Sequence, residues 1–218
     1  FALEALAPSR WVLLELLERN QDATLVHPYG VKVIVQSKKK SDRVDAFQLA
    51  DLLRLGRIPA AYVATAEERE LRVLVRHRSD LRASMTRSKN RIHAILHEHD
   101  EHCEQTDVFG KGGRRWLASR RFEGGTKLRV EHLLAQIDQL ATHLVAVDMA
   151  IAERVKDEPL FELLSTIPGV GATLGAIIRA EAGDIRRFET ADQFAAYTGL
   201  TPATWESGGS RTSGGITK

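Results

Sequence analysis

The chain has 218 residues, 43% hydrophobic and 28% charged, with 16 Gly and 6 Pro, a balance that supports a sizeable core and excludes a disordered or fibrous protein. Its formal charge of +2 and pI near 8.8 are too mild to indicate a polyanionic partner by themselves, so the distribution of charge has to decide. The lone Cys103 excludes an internal disulfide framework, and neither a bilayer-spanning apolar run nor a signal-peptide pattern is present, so the chain is read as cytoplasmic and without a membrane partner.

In chain order, Phe1–Leu6 reads as the end of a buried strand, opening on an apolar segment already under way, so a longer protein is expected. Residues 8–20 place Trp11, Leu13, Leu14 and Leu17 at helical spacing behind Pro8, and Ala23–Pro28 reads as a second strand. The run 29–37 is β-branched and short, and strand and helix stay open there. Lys38, Lys39 and Lys40 form a solvated loop before a helix with Ser41 as its N-cap and Asp42 in its first turn. Strand, helix, strand, helix predicts a parallel α/β layer. Glu67 to about Glu104 and Lys127 to about Lys156 lack Pro and are nearly free of Gly, which predicts two long helices. In the second, Leu133, Ile137, Leu140, Leu144, Val147 and Ile151 carry the three-four spacing of a coiled-coil seam. The first repeats it less cleanly through Leu71, Leu74, Leu81, Met85, Ile92 and Ile95, with Arg78 and Ser88 interrupting. An antiparallel pair joined by a Gly/Arg-rich linker is the simplest arrangement. Beyond residue 159 come two short helices around Pro168–Gly171, a third helix and a Gly/Ser-rich end.

The helix after Ser41 poses a chemical question. At about 100° per residue, with Asp42 at zero, Asp45 falls near −60°, Leu49 near −20°, Leu52 near −80° and Leu53 near +20°, so both acids are expected on the core stripe. Asp51 falls near 180° and is expected to be an ordinary solvated carboxylate. Inward carboxylates need cations or a metal beside them. On spacing alone Asp42 could simply cap while Asp45 pairs with a nearby Arg or Lys. The alternative is a hard divalent cation, for which Glu4 is a candidate third ligand.

Residues 1–56 resemble the N-terminal part of the DEDD transposases of the bacterial insertion-sequence family one-ten. In that family a Glu between a strand and an aromatic-containing helix, and two Asp in a Lys-Thr-Asp-x-x-Asp-Ala pattern, belong to a resolvase-like, ribonuclease-H-type catalytic domain. Glu4, Asp42 and Asp45 match those positions, with Ser41 for the usual Thr and Leu6-Ala7 for a commoner Thr-Gly. The resemblance implies that these three acids bind Mg²⁺, with two ions possible. It also implies a further Asp on a strand before Phe1, so these 218 residues alone are expected to be inactive. At the other end, residues 194–218 resemble the family's second transposase domain, where Gly-Leu-x-Pro precedes a Ser-Gly pair and an Ile-(Ser/Thr)-Lys. There Ser207 matches the family's nucleophile on DNA. Unaided, a Ser/Gly tract reads as a loop, and a serine hydroxyl needs a base or metal to act. Residues 165–183 resemble a helix-hairpin-helix, in which Gly169 and Gly171 allow backbone N–H groups to face a phosphate; a plain close-packed helix connection is the alternative.

Charge is distributed unevenly. Arg72, Arg76, Arg78, Arg82, Arg87, Lys89 and Arg91 share the first long helix with Asp80 as the only acid among them, and Lys111, Arg114, Arg115, Arg120, Arg121, Lys127 and Arg129 follow around Glu123. Such tracts fit phosphate-backbone binding, although a solvated helix face is the alternative. Trp116 and Phe122 among them are expected to pack more readily than to stack on bases. His97, His99, His102 and Cys103 lack a second cluster to complete a zinc site and read as a polar helix end.

The expected fold is therefore α/β plus all-α. It comprises a partial ribonuclease-H-like (resolvase-like) domain over 1–64, long antiparallel coiled-coil helices with a basic linker over 65–158, and a helix-hairpin-helix-like transposase domain over 159–218. The expected function is that of a DNA transposase or recombinase. The resemblance implies DNA, a structured guide RNA and further copies of the chain, assembled through the long helices, as partners. The rival reading is a non-catalytic nucleic-acid-binding scaffold in which the acids are structural.

Overall fold

The computed structural model describes residues 1–5, 9–34 and 41–216, which fall into two units, 1–65 and 66–218. In the first, β1 (Ala2–Glu4) pairs in parallel with β2 (Thr24–Val26), Glu4 opposite Val26, and α1 (Ser9–Glu18) is the crossover that a parallel pair requires. Residues 59–61 lie antiparallel on the other side of β2, where the Ala61 N–H donates to the Leu25 carbonyl at 2.7 Å and the His27 N–H to that of Pro59 at 2.9 Å. Val26 and Leu13 are fully buried at the centre, whereas Trp11 and Leu17, counted on the same apolar face in the sequence, are exposed. The run left open between strand and helix is α2 (Pro28–Ile34), opening on a proline whose fixed φ suits a first turn.

Helix α3 (Asp42–Arg54) starts as the sequence predicts. The Ser41 hydroxyl accepts from the Val44 N–H at 3.3 Å. Its buried face is rotated from the expected one. Leu52 is the buried residue, Leu53 is 42% exposed, Asp45 is half-buried and Asp42 is exposed. Measured from Leu52, Asp45 lies about 20° away and Asp42 about 80° away, at the edge of the stripe.

The second unit is built on α4 (Ala66–Glu98) and α6 (Gly124–Val155), each about 50 Å long at 1.5 Å per residue. Glu70 pairs with Arg154, Arg78 with Asp148 and Ser88 with Gln136, so the two helices run antiparallel in a constant register. The predicted seam is where they meet. Leu133, Ile137, Leu144 and Ile151 are buried, Leu140 and Val147 pack at its margin, and Leu71, Val75, Leu81, Met85, Ile92 and Ile95 answer from α4. Ser88 interrupts the apolar seam at 2% exposure; its hydroxyl lies 2.8 Å from Gln136 Oε1 and 3.1 Å from the Ser84 carbonyl. Helix α4 stops at Glu98, short of the expected end, where Asp100 takes a left-handed φ of 52°. Beyond the turn, Val108 and, on α5 (Lys111–Ala118), Leu117 join the core at the end of the pair. Gly113 makes that approach possible, since a Cβ there would lie 2.3 Å from the Asp107 carbonyl oxygen.

Helices α7 (Pro159–Ser165) and α8 (Ala172–Ala182) follow, and α8 sets Ala176 and Ala180, both fully buried, against Leu71, Val75, Ile151 and Val155. Small side chains let α8 lie close, and charge fixes it there: Arg72 donates to the Ala180 and Glu181 carbonyls at the end of α8, and Arg76 grips the Glu181 carboxylate at 2.8 and 2.7 Å. A 3-10 turn (Ile185–Arg187) and α9 (Ala191–Tyr197) lead into a hairpin of β3 (Pro202–Ser207) and β4 (Ser210–Ile216). The Gly/Ser-rich end, read as a loop from composition, is thus a paired ribbon.

Candidate functional site

Glu4 closes β1 and is exposed, while Asp42 and Asp45 sit in the first turns of α3, which packs on β1 in the same unit. Three carboxylates have the hard oxygen chemistry that Mg²⁺ prefers. Among the described residues, however, no three His, Cys, Asp or Glu side chains come together as a cation site, so Glu4, Asp42 and Asp45 do not form a preformed cluster. The reason at Asp42 is the rotation of α3, which turns that carboxylate to solvent. Asp51 behaves as the sequence predicts, paired on the surface with Arg54 at 2.8 Å.

Ser207 ends β3 in the second unit, exposed and opposite Ser210 in the register of the hairpin. Gly208 and Gly209 form the two-residue turn, both with positive φ (58° and 82°), the combination required at the tip of a tight hairpin with a primed turn. The hydroxyl is presented beside a turn that carries no side chains. The signal for this ribbon was available in the sequence as a Gly-Gly doublet between β-favouring Thr204 and Thr212.

The basic tracts divide on inspection. Arg78, expected to meet phosphate, has a side chain only 14% exposed and donates to Asp148 at 2.5 Å. Arg114 grips Asp138 at 2.9 and 2.6 Å and donates to the Phe109 carbonyl. These two are engaged within the fold, because their acids lie on α6 and are invisible to charge counting along one helix. Lys89 sits over the Phe109 ring at 4.9 Å, and Arg87 donates to Ser84. Arg82, Arg91 and Arg115 are exposed without an ion pair among the described residues. Lys38, Lys39 and Lys40 lie outside the described residues. Gly169, with φ 88°, is in the turn between α7 and α8, and Gly171 is the N-cap of α8; nothing lies within 4 Å of a Cβ at either. Trp116 and Phe122 pack against the core, as expected. The His97 and His102 rings meet edge to face at 6.3 Å and His99 meets Phe122, an arrangement of packing.

Glu181 is electrostatically tied to the start of α4. Its carboxyl is held below the ordinary glutamate range, first by the Arg76 hydrogen bonds and then by the charges of Arg76 and Arg72, against an opposing effect of burial.

Comparison with known proteins finds the same order of parts. Residues 161–218 match the model described as the IS116/IS110/IS902 family of transposases, and residues 2–100 match a DEDD transposase model of the IS110 type. The chain belongs to the IS116/IS110/IS902 transposase family. Among its relatives are a probable family 20 transposase of Pseudomonas aeruginosa, 25% identical over the whole of this chain and 65% of that protein, and the transposase for IS1328 of Yersinia enterocolitica, 23% identical with the same shares. The transposase for IS1111A of Coxiella burnetii is 28% identical over 89% of this chain and 54% of its own length. The chain thus spans just under two thirds or less of these transposases. The DEDD match contains Glu4, Asp42 and Asp45, and the IS116/IS110/IS902 match contains Gly169, Gly171 and Ser207. Residues 101–160, with the whole of α5 and α6, lie between the two. No helix among the described residues is long and apolar enough to cross a membrane.

Proposed function

We propose that this chain is the major part of an insertion-sequence transposase that cuts and joins DNA. The observation that supports it most is the succession of two transposase matches along one chain, the first holding all three candidate acids and the second the candidate serine. In this reading Glu4, Asp42 and Asp45 hold Mg²⁺, which supplies charge stabilisation for phosphoryl transfer when bound. Ser207 is the nucleophile: its Oγ forms a bond to a DNA phosphorus as one strand P–O bond breaks. The serine proton goes to a base and the severed strand leaves as a hydroxyl. The open turn beside Ser207 supports access by a phosphate. A structured guide RNA is the partner that selects the DNA, and exposed Val145 and Met149 on α6 support association between copies through the long helices.

The test is plasmid recombination by the protein at its relatives' full length. Asp45→Ala is expected to abolish recombination, and Ser207→Ala to abolish the covalent protein–DNA adduct while DNA binding persists. Recombination that survives Asp45→Ala establishes the scaffold reading instead. An undiminished adduct with Ser207→Ala removes that serine from the reaction. Binding of Mn²⁺ followed by electron paramagnetic resonance reports on the acids independently, weakening with Asp45→Ala.

A further inference from the structure

A shallow groove of about 880 Å³ runs along the seam between α4 and the N-terminal half of α6. Arg91 contributes from α4, and Leu128, Arg129, His132, Gln136 and Gln139 from α6. The four polar residues of α6 recur at steps of three, four and three, so they share one face. With Gly125 at one end and Gln139 at the other, that face is about 21 Å long. None of the lining side chains is acidic. Arg91 and Arg129 are exposed and carry no ion pair among the described residues, unlike Arg78 and Arg114 farther along the same two tracts. Gln136 is oriented from behind: its Oε1 accepts from the buried Ser88 hydroxyl, which leaves its Nε2 as a donor. The positive end of the α6 dipole adds to the same field.

We infer that this groove seats the phosphodiester backbone of a nucleic acid, with Arg91 and Arg129 pairing with phosphates and Gln136 donating to a phosphate or sugar oxygen. The inference rests on the nucleic-acid reading above and carries the contact from Arg91, inside the DEDD match, onto α6 residues Arg129 to Gln139, which lie between the two matches. A groove this long and open encloses too little of a small molecule to bind it well. Two guanidinium groups and two amides without a facing acid suit a chain of evenly spaced anions. Ser88 is a positioning residue in this arrangement.

Salt dependence tests it. Each phosphate neutralised adds about 0.9 to the slope of log K against log salt for duplex DNA and about 0.7 for a single strand. The 218-residue chain is titrated by fluorescence anisotropy with a labelled DNA duplex and with a labelled single-stranded RNA, beside the variant Arg91→Gln/Arg129→Gln. The slope is expected to become shallower by about 1.8 if duplex occupies the groove, or by about 1.4 if a single strand does. Lys32→Gln/Arg57→Gln removes the same charge from exposed positions of the first unit and is expected to leave the slope as it was. Ser88→Ala is expected to bind about fivefold more weakly at unchanged slope, the signature of a lost hydrogen bond. Unchanged slopes for both probes with Arg91→Gln/Arg129→Gln, an equal fall in the Lys32/Arg57 pair, or no binding by the unaltered chain overturns the inference. Plasmid recombination decides the transposase reading separately, so the two fail independently.

Discussion

Arg179 lies between two carboxylates, with Nε 2.5 Å from Glu158 and Nη1 3.5 Å from Glu68, and Glu68 is only 4% exposed. A carboxylate so far from water is tolerable because cationic and polar groups reach it, and removing the Arg179 guanidinium takes one cation from both Glu68 and Glu158. Arg179→Met is therefore expected to cost about 3 kcal/mol in urea unfolding. Glu68→Leu added to it should recover most of the loss, because an apolar pair of similar volume is often as stable as a buried ion pair. Glu181 supplies a pH handle on the same helix. Its folded-state pKa is lowered, chiefly by the Arg76 hydrogen bonds, so its contribution is complete above the ordinary glutamate pKa and is lost as pH falls through the folded value. Thermal melting across this acid range should show less decline for Arg76→Gln than for the unaltered chain. The raised pKa of Arg76 has the opposite sign: its contribution fades only above the ordinary arginine range, so it leaves the acid limb to Glu181. At this scale a local rule was readable and a global one was not. Ser41 caps α3 through a bond three residues away, which the sequence spells out. The partners of Arg78 and Arg114 lie 70 and 24 residues away on another helix, where only the fold can bring them.

Among the elements, the long helices were legible because a three-four repeat sustained from Leu133 to Ile151, in a Pro-free stretch, has few other solutions, and buried Leu133, Ile137, Leu144 and Ile151 follow it. The face of α3 was harder. Thirteen residues with apolar side chains at Leu49, Leu52 and Leu53 fit two stripes, and packing on β1 selects the one centred on Leu52, which turns Asp42 outward. The final hairpin escaped because a composition rule for loops outweighed the pairing signal of a Gly-Gly turn. That turn makes a prediction of its own. Gly208 at φ 58° lies in the left-handed region that Asn also visits, with nothing within 4 Å of its Cβ, so Gly208→Asn should be neutral or slightly stabilising. Gly209→Val places a β-branched residue at φ 82° and is expected to cost about 2 kcal/mol. Proton contacts across the Ser207–Ser210 pair, measured by nuclear magnetic resonance, should survive the first change and disappear with the second.

For the whole molecule, the decisive asymmetry is that α6 is apolar on more than the face that meets α4. Leu144 and Ile151 are buried in the seam, yet Val145 and Met149, one turn apart on the outer surface, are 61% and 69% exposed. Side chains of this size each gain about 1.5–3 kcal/mol on full burial, and two copies meeting along α6 would cover both on each copy. Because these positions point away from the seam, acidic replacements there disturb an interface between copies without opening the α4–α6 pair. The unaltered chain is expected to sediment above its 24.2 kDa monomer mass at micromolar concentration, insensitive to salt because the contact is apolar. Val145→Glu/Met149→Glu should sediment as a monomer with its helical circular dichroism and melting temperature unchanged. The control is Thr142→Glu, on the same outer surface one turn before Ala146, which tells added charge from lost apolar area by weakening association less. A monomer in every case, including the unaltered chain, removes the long helices as the element that joins copies.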